Sequence, residues 1–338
     1  MATMINNDTL ERHLNILVWA KSFLEFKNEV VFKKTIKEIL ECHKKNLKNY
    51  FALCGLARHK TAYRKYRDEA NDFIFAVRVK LEKSIIDSLL YSYSENEIIF
   101  EELFGGSFFG QSKKQGISHR MPLSSCKATR LCSSACYAHD AMDAMPNSVV
   151  RGAINGTIAY LYENENDAIK AKIAKNLEKP IKSAVNFALK EVSALKNGWS
   201  RKPFIRFSHV GELAAFPCFA NMIAEQVDMV SGGSVQCVIY TRHHKSVELD
   251  PALWVINYTL DPSSPNKDKI IIPDNARVVF SAFGGKVSKD AEINFLEHHP
   301  WFHAKPSGSG QICPATLPSA KLRTCDGVKC DRCFVQKV

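Results

Sequence analysis

From Leu14 to Leu40 apolar residues recur at helical spacing, through Leu17, Val18, Phe23, Val30, Val31, Ile36 and Ile39. Phe73, Val77, Leu81, Ile85 and Leu89 then repeat in steps of four, the spacing that places side chains on one face of an α-helix. No proline precedes Pro122, so residues 8 to about 103 are predicted to be helical, with Thr9 as a candidate N-cap. The run Gly105-Gly106-Ser107-Phe108-Phe109-Gly110-Gln111-Ser112 has the glycines of a lid or linker. Beyond residue 120 the pattern changes. Val149 to about Lys196 reads as helix, as does Leu213 to Val227. Short β-branched or aromatic runs read as strands: Phe204 to Phe207, Val235 to Tyr240, Leu253 to Tyr258, Ile270 to Ile272 and Arg277 to Phe283. Strands alternating with helices predict an α/β fold with a parallel sheet or a (β/α) barrel. The short connections after Tyr240 make that barrel partial or irregular. The expected organisation is a helical, basic region over 1–104, a Gly-rich linker or lid over 105–118, a barrel-like domain over 119–310 and a cysteine knuckle over 311–338.

Composition narrows the function. The chain has 338 residues and is 46% hydrophobic, enough for a sizeable core. Its net charge of +11 and pI near 9.0 favour polyanionic partners, nucleic acid first. Glu11, Arg12 and Lys21 interrupt the apolar residues of the N-terminus, so no signal peptide is expected. No apolar run reaches the roughly 20 residues of a membrane span, so no membrane association is expected and the cytoplasm is the expected compartment. Structural disulfides are rare there, and 11 cysteines then point to metal.

Seven of those cysteines form two groups. Cys126, Cys132 and Cys136 have the spacing C-x5-C-x3-C, with Lys127 and Arg130 nearby to favour thiolates. Three thiolates suit a 4Fe-4S cluster with one iron left open, and His139 is the candidate fourth ligand of a closed site. Cys313, Cys325, Cys330 and Cys333 supply four ligands, enough to close a zinc site or a second 4Fe-4S cluster. Cys42, Cys54, Cys218 and Cys237 lie in regular apolar segments and read as core residues.

Two further constellations bear on chemistry. In α/β barrels functional residues gather where strands end, and Ser208, His209, Glu212, Thr241, Arg242, Asp261 and Ser281 stand at such places. Glu212 is suited to bind an ammonium or act as a base, and Arg242 to bind a carboxylate or phosphate. His243 and His244 read as exposed loop residues. Between Cys42 and Arg67 lie Lys44, Lys45, Lys48, Arg58, Lys60, Arg64, Lys65 and Arg67, with no acidic residue among them and with Tyr50, Phe51, Tyr63 and Tyr66 interleaved. Such a stretch suits phosphate neutralisation and base stacking.

From about residue 118 onward the chain resembles the phage "gene product 88" family. The resemblance rests on C-x5-C-x3-C-Tyr, on Arg206-Phe-Ser-His209-Val-Gly211-Glu212, on Tyr240-Thr241-Arg242 and on the C-terminal knuckle followed by Phe334. Where that family has Gly-Asp this chain has Gly211-Glu212. The same order of motifs is similar to radical S-adenosylmethionine enzymes, whose usual spacing is C-x3-C-x2-C. That likeness implies a 4Fe-4S cluster on Cys126, Cys132 and Cys136. It implies S-adenosylmethionine held by Ser208, Gly211, Glu212 and Tyr137, with His209, Glu212 and Arg242 as catalytic residues. An external electron donor follows as a partner, and a host cytoplasm as the setting of a phage protein.

Overall fold

The computed structural model describes residues 36–58, 67–95, 99–112, 116–134, 136, 138, 145–193, 201–265, 270–282, 286–296, 309, 311–313 and 333. The chain forms two compact units. One comprises Met1–Leu103, Pro122–Ser124 and Cys132–Thr157; the other comprises Phe104–Met121, Ser125–Leu131 and Ile158–Val338.

The first unit is helical. Its described elements begin with α1 (Ile36–Arg58), α2 (Arg67–Glu95) and α3 (Ile99–Leu103). α1 buries Ile39, Leu47, Tyr50 and Cys54, and packs along α2, which buries Ile74, Val77, Leu81, Ile85 and Leu89. Burying each large aliphatic side chain contributes about 1.5–3 kcal/mol. Two polar links cross this apolar seam. His43 Nε2 meets Ser88 Oγ at 3.3 Å, and Arg78 donates to Tyr50 Oη at 3.3 Å. Arg78 and Glu82, both fully buried, form an ion pair at 2.8 Å.

The second unit is a seven-stranded sheet with helices. Its strands are β1 (Phe109–Ser112), β2 (Gly116–His119), β3 (Phe204–Phe207), β4 (Gln236–Thr241), β5 (Trp254–Leu260), β6 (Arg277–Ala282) and β7 (Ile293–Leu296). They lie in sequence order across the sheet; β1 and β2 pair antiparallel and every later pair is parallel. The five residues from Trp254 to Tyr258 are all buried, as expected of a parallel strand covered on both faces. Four further helices follow in chain order: α4 (Arg130–Ser134), α5 (Pro146–Asn164), α6 (Asp167–Ser193) and α7 (Pro217–Ser231). α7 sits between β3 and β4 and packs on α6, where Gln226 donates to the Ala174 carbonyl at 3.0 Å. Phe207 meets Trp254 edge-on at 5.1 Å on one face of the sheet. On the other face Phe204, Val238, Val255, Val279 and Ile293 form an apolar cluster with Cys313 and Cys333.

Several expectations need correction. Residues 105–118 are not simply a linker: they contain β1 and most of β2, because Phe108 and Phe109 are buried and close the sheet edge. Ile270 to Ile272 is not a strand; Ile271 is 69% exposed, and Pro273 removes a ladder donor. β7 escaped the apolar pattern because Asn294 interrupts it, yet Asn294 is fully buried and bonds the Ser288 and Gln311 carbonyls. Of the four cysteines expected in the core, Cys42 and Cys218 are exposed, while Cys54 and Cys237 are buried. Residues 8–35, with Thr9, lie outside the described residues. No described helix is long and apolar enough to cross a membrane.

Candidate functional site

Polar residues converge at the C-terminal ends of β3, β4 and β5, all within the α/β unit. After Phe207 the chain turns through Ser208 at φ 54° and Gly211 at φ 74°. A left-handed conformation at a non-glycine residue costs about 1–3 kcal/mol and is kept only where neighbouring contacts enforce it. Here Leu213 N–H donates to Ser208 Oγ at 2.8 Å, His209 N–H to the His119 carbonyl at 3.0 Å, and Met121 N–H to the Val210 carbonyl at 2.7 Å. Those bonds fix the turn against the end of β2 and hold His209 and Glu212 inward, each 5% exposed.

Glu212 is strongly perturbed at this edge. Its N–H donates to Ser125 Oγ at 2.8 Å, and its Oε2 accepts the Arg242 N–H at 3.2 Å. Oε1 is buried with no hydrogen-bond partner among the described residues. Burial pushes the carboxyl up to about 7; the Arg242 amide, the Thr241 hydroxyl, the Arg242 charge and the Ser208 hydroxyl offset only part of that rise. Asp261 behaves in the opposite way. Burial raises it, but the Thr129 hydroxyl, the Arg242 guanidinium and the Ser263 donors outweigh burial and hold it below its ordinary value. Arg242 and Asp261 form an ion pair, and Tyr258 Oη donates to the Arg242 carbonyl at 3.1 Å.

The segment Ser125–Leu131 is fastened to this edge at three points. Ser125 receives the Glu212 amide, Thr129 donates to Asp261, and Leu131 N–H donates at 3.0 Å to Ser263 Oγ, itself bonded to Asp261. Cys126 lies in that segment. The Lys127 charge also reaches His243, which burial first, then His244, Lys127 and Lys245, lowers to about 4. His243 is therefore a buried residue, stacked on His244 at 4.5 Å, and not an exposed one; only His244 is exposed.

Cys132 and Cys136 belong to the helical unit. Burial pushes the Cys136 thiol up to about 12, and nearby Cys132 adds to the rise, against the Ala138 amide and Arg78. The buried Arg78–Glu82 pair pins the neighbouring chain. Arg78 donates to the Ala138 carbonyl at 2.8 Å, Glu82 accepts the Ser124 N–H at 3.2 Å, and Ser133 Oγ donates to Asp72 at 2.7 Å. A metal takes the thiolate and displaces its proton, and paired soft sulfur donors suit zinc or iron–sulfur chemistry. Among the described residues no group of three or more His, Cys, Asp or Glu side chains is gathered as a metal centre.

In the C-terminal group, Cys313 and Cys333 are both buried in the sheet's apolar cluster. Cys313 N–H donates to the Asn294 carbonyl at 2.8 Å, and Asn257 Nδ2 to the Cys333 carbonyl at 3.0 Å. Cys325, Cys330, Tyr137 and His139 lie outside the described residues. So do Lys60, Arg64 and Lys65 of the basic stretch, and the side chains of Arg58 and Arg67. Lys44, Lys45 and Lys48 are exposed on α1, with Lys44 3.1 Å from Glu41. Sequence reasoning missed Ser125, Thr129 and Ser263. The signal for Ser263 was there: Asp261-Pro-Ser263-Ser264 has the composition of an Asp-initiated turn, and Ser263 N–H indeed donates to Asp261 Oδ1 at 2.7 Å. No known protein family, curated protein or solved structure matches the chain.

Proposed function

We propose that the chain is an iron–sulfur enzyme of the radical S-adenosylmethionine type, acting on a nucleic acid or on a macromolecule bound to one. The observation that carries this reading is the fastening of the Cys126 segment onto the strand ends that hold Glu212, Arg242 and Asp261. The sequential order of β2 to β7 supports a partial (β/α) barrel as the finer description of the fold. Right-handed crossovers between strands in that order all fall on one face, as they do in a barrel, and barrels carry their chemistry at strand C-termini.

In this reading Cys126, Cys132 and Cys136 hold a 4Fe-4S cluster, which when bound supplies one low-potential electron. Cys313, Cys325, Cys330 and Cys333 hold a second cluster or zinc. Glu212 Oε1, buried and unbonded, is the acceptor for a ligand ammonium. A cation there offsets the burial that raises its pKa, so Glu212 binds the ligand as a carboxylate and releases a proton as it does so. Arg242, with Nη1 on Asp261, offers its remaining N–H groups to a carboxylate. Ser208 and Gly211 shape the turn that presents Glu212, and the His209 N–H is bonded to the His119 carbonyl.

The test uses protein reconstituted with iron and sulfide without oxygen, then reduced and mixed with S-adenosylmethionine. Binding and reductive cleavage are expected, with affinity reduced about 10- to 100-fold in Glu212→Gln, the loss for removing one charge-assisted hydrogen bond. Iron-loaded protein that neither binds nor cleaves the cofactor would contradict the enzyme reading and favour a redox sensor. A second reading is a non-enzymatic, zinc-held nucleic-acid-binding protein. It is favoured by the apolar seats of Cys313 and Cys333 and by the exposed Lys44, Lys45 and Lys48.

A further inference from the structure

We propose that α6 is a docking track for the phosphodiester backbone of a nucleic-acid duplex. The helix buries Ile173, Leu177, Ile181, Ala184, Val185 and Ala188 on one side. Lys172, Lys175, Lys179, Lys182 and Lys190 are all exposed on the other, with exposed Asn186 filling the one gap in their spacing. At 3.6 residues per turn the five lysines fall within an arc of about 80°, opposite the buried face, and span about 27 Å along the axis. Glu178, the acid nearest the stripe, falls outside that arc. Lys175, Lys179, Lys182 and Lys190 have no ion-pair partner among the described residues. Four unneutralised cations in a row on one rigid helix repel each other, and a polyanion laid along them removes that repulsion while releasing its own counterions.

The kind of polyanion follows from what the stripe lacks. No aromatic side chain lies on the arc, so it offers charge without a stacking platform. Single strands gain much of their binding from base stacking, whereas a duplex presents the densest line of phosphates and asks only for charge. Binding along α6 is therefore independent of base sequence. The track uses neither the cysteines nor Lys44, Lys45 and Lys48, and it does not rest on the proposed chemistry.

The experiment measures anisotropy of a labelled duplex with the full chain across a salt series, for wild type and for Lys175→Gln/Lys179→Gln/Lys182→Gln/Lys190→Gln. Glutamine is a good helix former and these positions face solvent, so circular dichroism and Tm should not change. Each lysine that engages a phosphate contributes about 0.9 to the slope of log K against log salt. The variant is expected to lose about 2 to 4 from that slope and at least about tenfold in affinity at low salt, and the four-arginine variant to keep both. A single strand of equal length is expected to bind more weakly than the duplex. The proposal is overturned by an unchanged duplex slope, by single strands binding more tightly than duplex, or by loss of binding confined to phosphatidylserine vesicles. Because the readout is duplex binding and not iron content or cofactor cleavage, failure here is distinguishable from failure of the iron–sulfur reading.

Discussion

Glu212→Gln separates ionisation from shape at the centre of the strand-end site. The substituted amide has the same size and still accepts the Arg242 N–H, but it cannot ionise. Glu212 titrates near 7 in the folded chain against 4.5 in its ordinary state. The folded protein therefore holds the proton more tightly than the unfolded chain, and stability falls as pH rises from about 4.5 to 7. At 1.36 kcal/mol per pH unit the full loss is about 3 kcal/mol, of which about 2 kcal/mol falls between pH 5.5 and 8.5. The assay is urea unfolding of wild type and Glu212→Gln at those two pH values. The variant should gain about 2 kcal/mol relative to wild type on going to pH 8.5. Parallel stability profiles for the two proteins would refute the reasoning, because they would mean that Glu212 does not carry the burial penalty.

Other perturbations address the supports of the site. Arg78→Met strands the buried Glu82 and should destabilise the protein by about 3–5 kcal/mol, while Arg78→Met/Glu82→Met costs less than the sum of the single changes. Additive urea-unfolding energies would speak against a coupled pair. A Cβ on Gly156 would lie 2.7 Å from Pro122 Cγ, so Gly156→Ala should cost about 1–3 kcal/mol in the helical unit, and an unchanged Tm would contradict that packing. Asp261 is held below its ordinary pKa, so its contribution is present above about pH 3.8 and is lost as pH falls through its folded value. Asp261→Asn should remove about 1–3 kcal/mol at pH 7 and speed amide exchange at Leu131; unchanged exchange would mean that the Ser125–Leu131 segment is held by something else.

The legible parts of the fold were those written in local periodicity. Val77, Leu81, Ile85 and Leu89 stand in a stripe on the sequence and in a buried face on α2. The apolar runs at Phe204, Val235, Leu253 and Arg277 became β3 to β6 because a doubly covered parallel strand needs continuous apolar residues. What the sequence hid depends on tertiary partners. Asn294 looks like a strand breaker until its side chain is seen to bond two backbone carbonyls. Phe108 and Phe109 sit among glycines, yet they pack on His119, which burial lowers to about 3. Glu212, Arg242 and Asp261 were visible as polar residues at strand ends. Their opposite ionisation was not, because it turns on burial and on Thr129, 132 residues away from Asp261. The lysine stripe on α6 is hard to read in the sequence because Glu178 lies among its lysines along the chain and off their arc in space.

The central claim is that Cys126, Cys132 and Cys136 hold iron and sulfide. Anaerobic purification followed by iron, zinc and sulfide analysis and a visible spectrum tests it most directly. A brown protein is expected, with about four irons on the first group, or about eight if the C-terminal cysteines hold a second cluster. Cys126→Ala/Cys132→Ala/Cys136→Ala should lose about four of those irons while Cys313→Ala leaves them in place. A colourless protein carrying only zinc, or iron content unmoved by the triple substitution, would contradict the account.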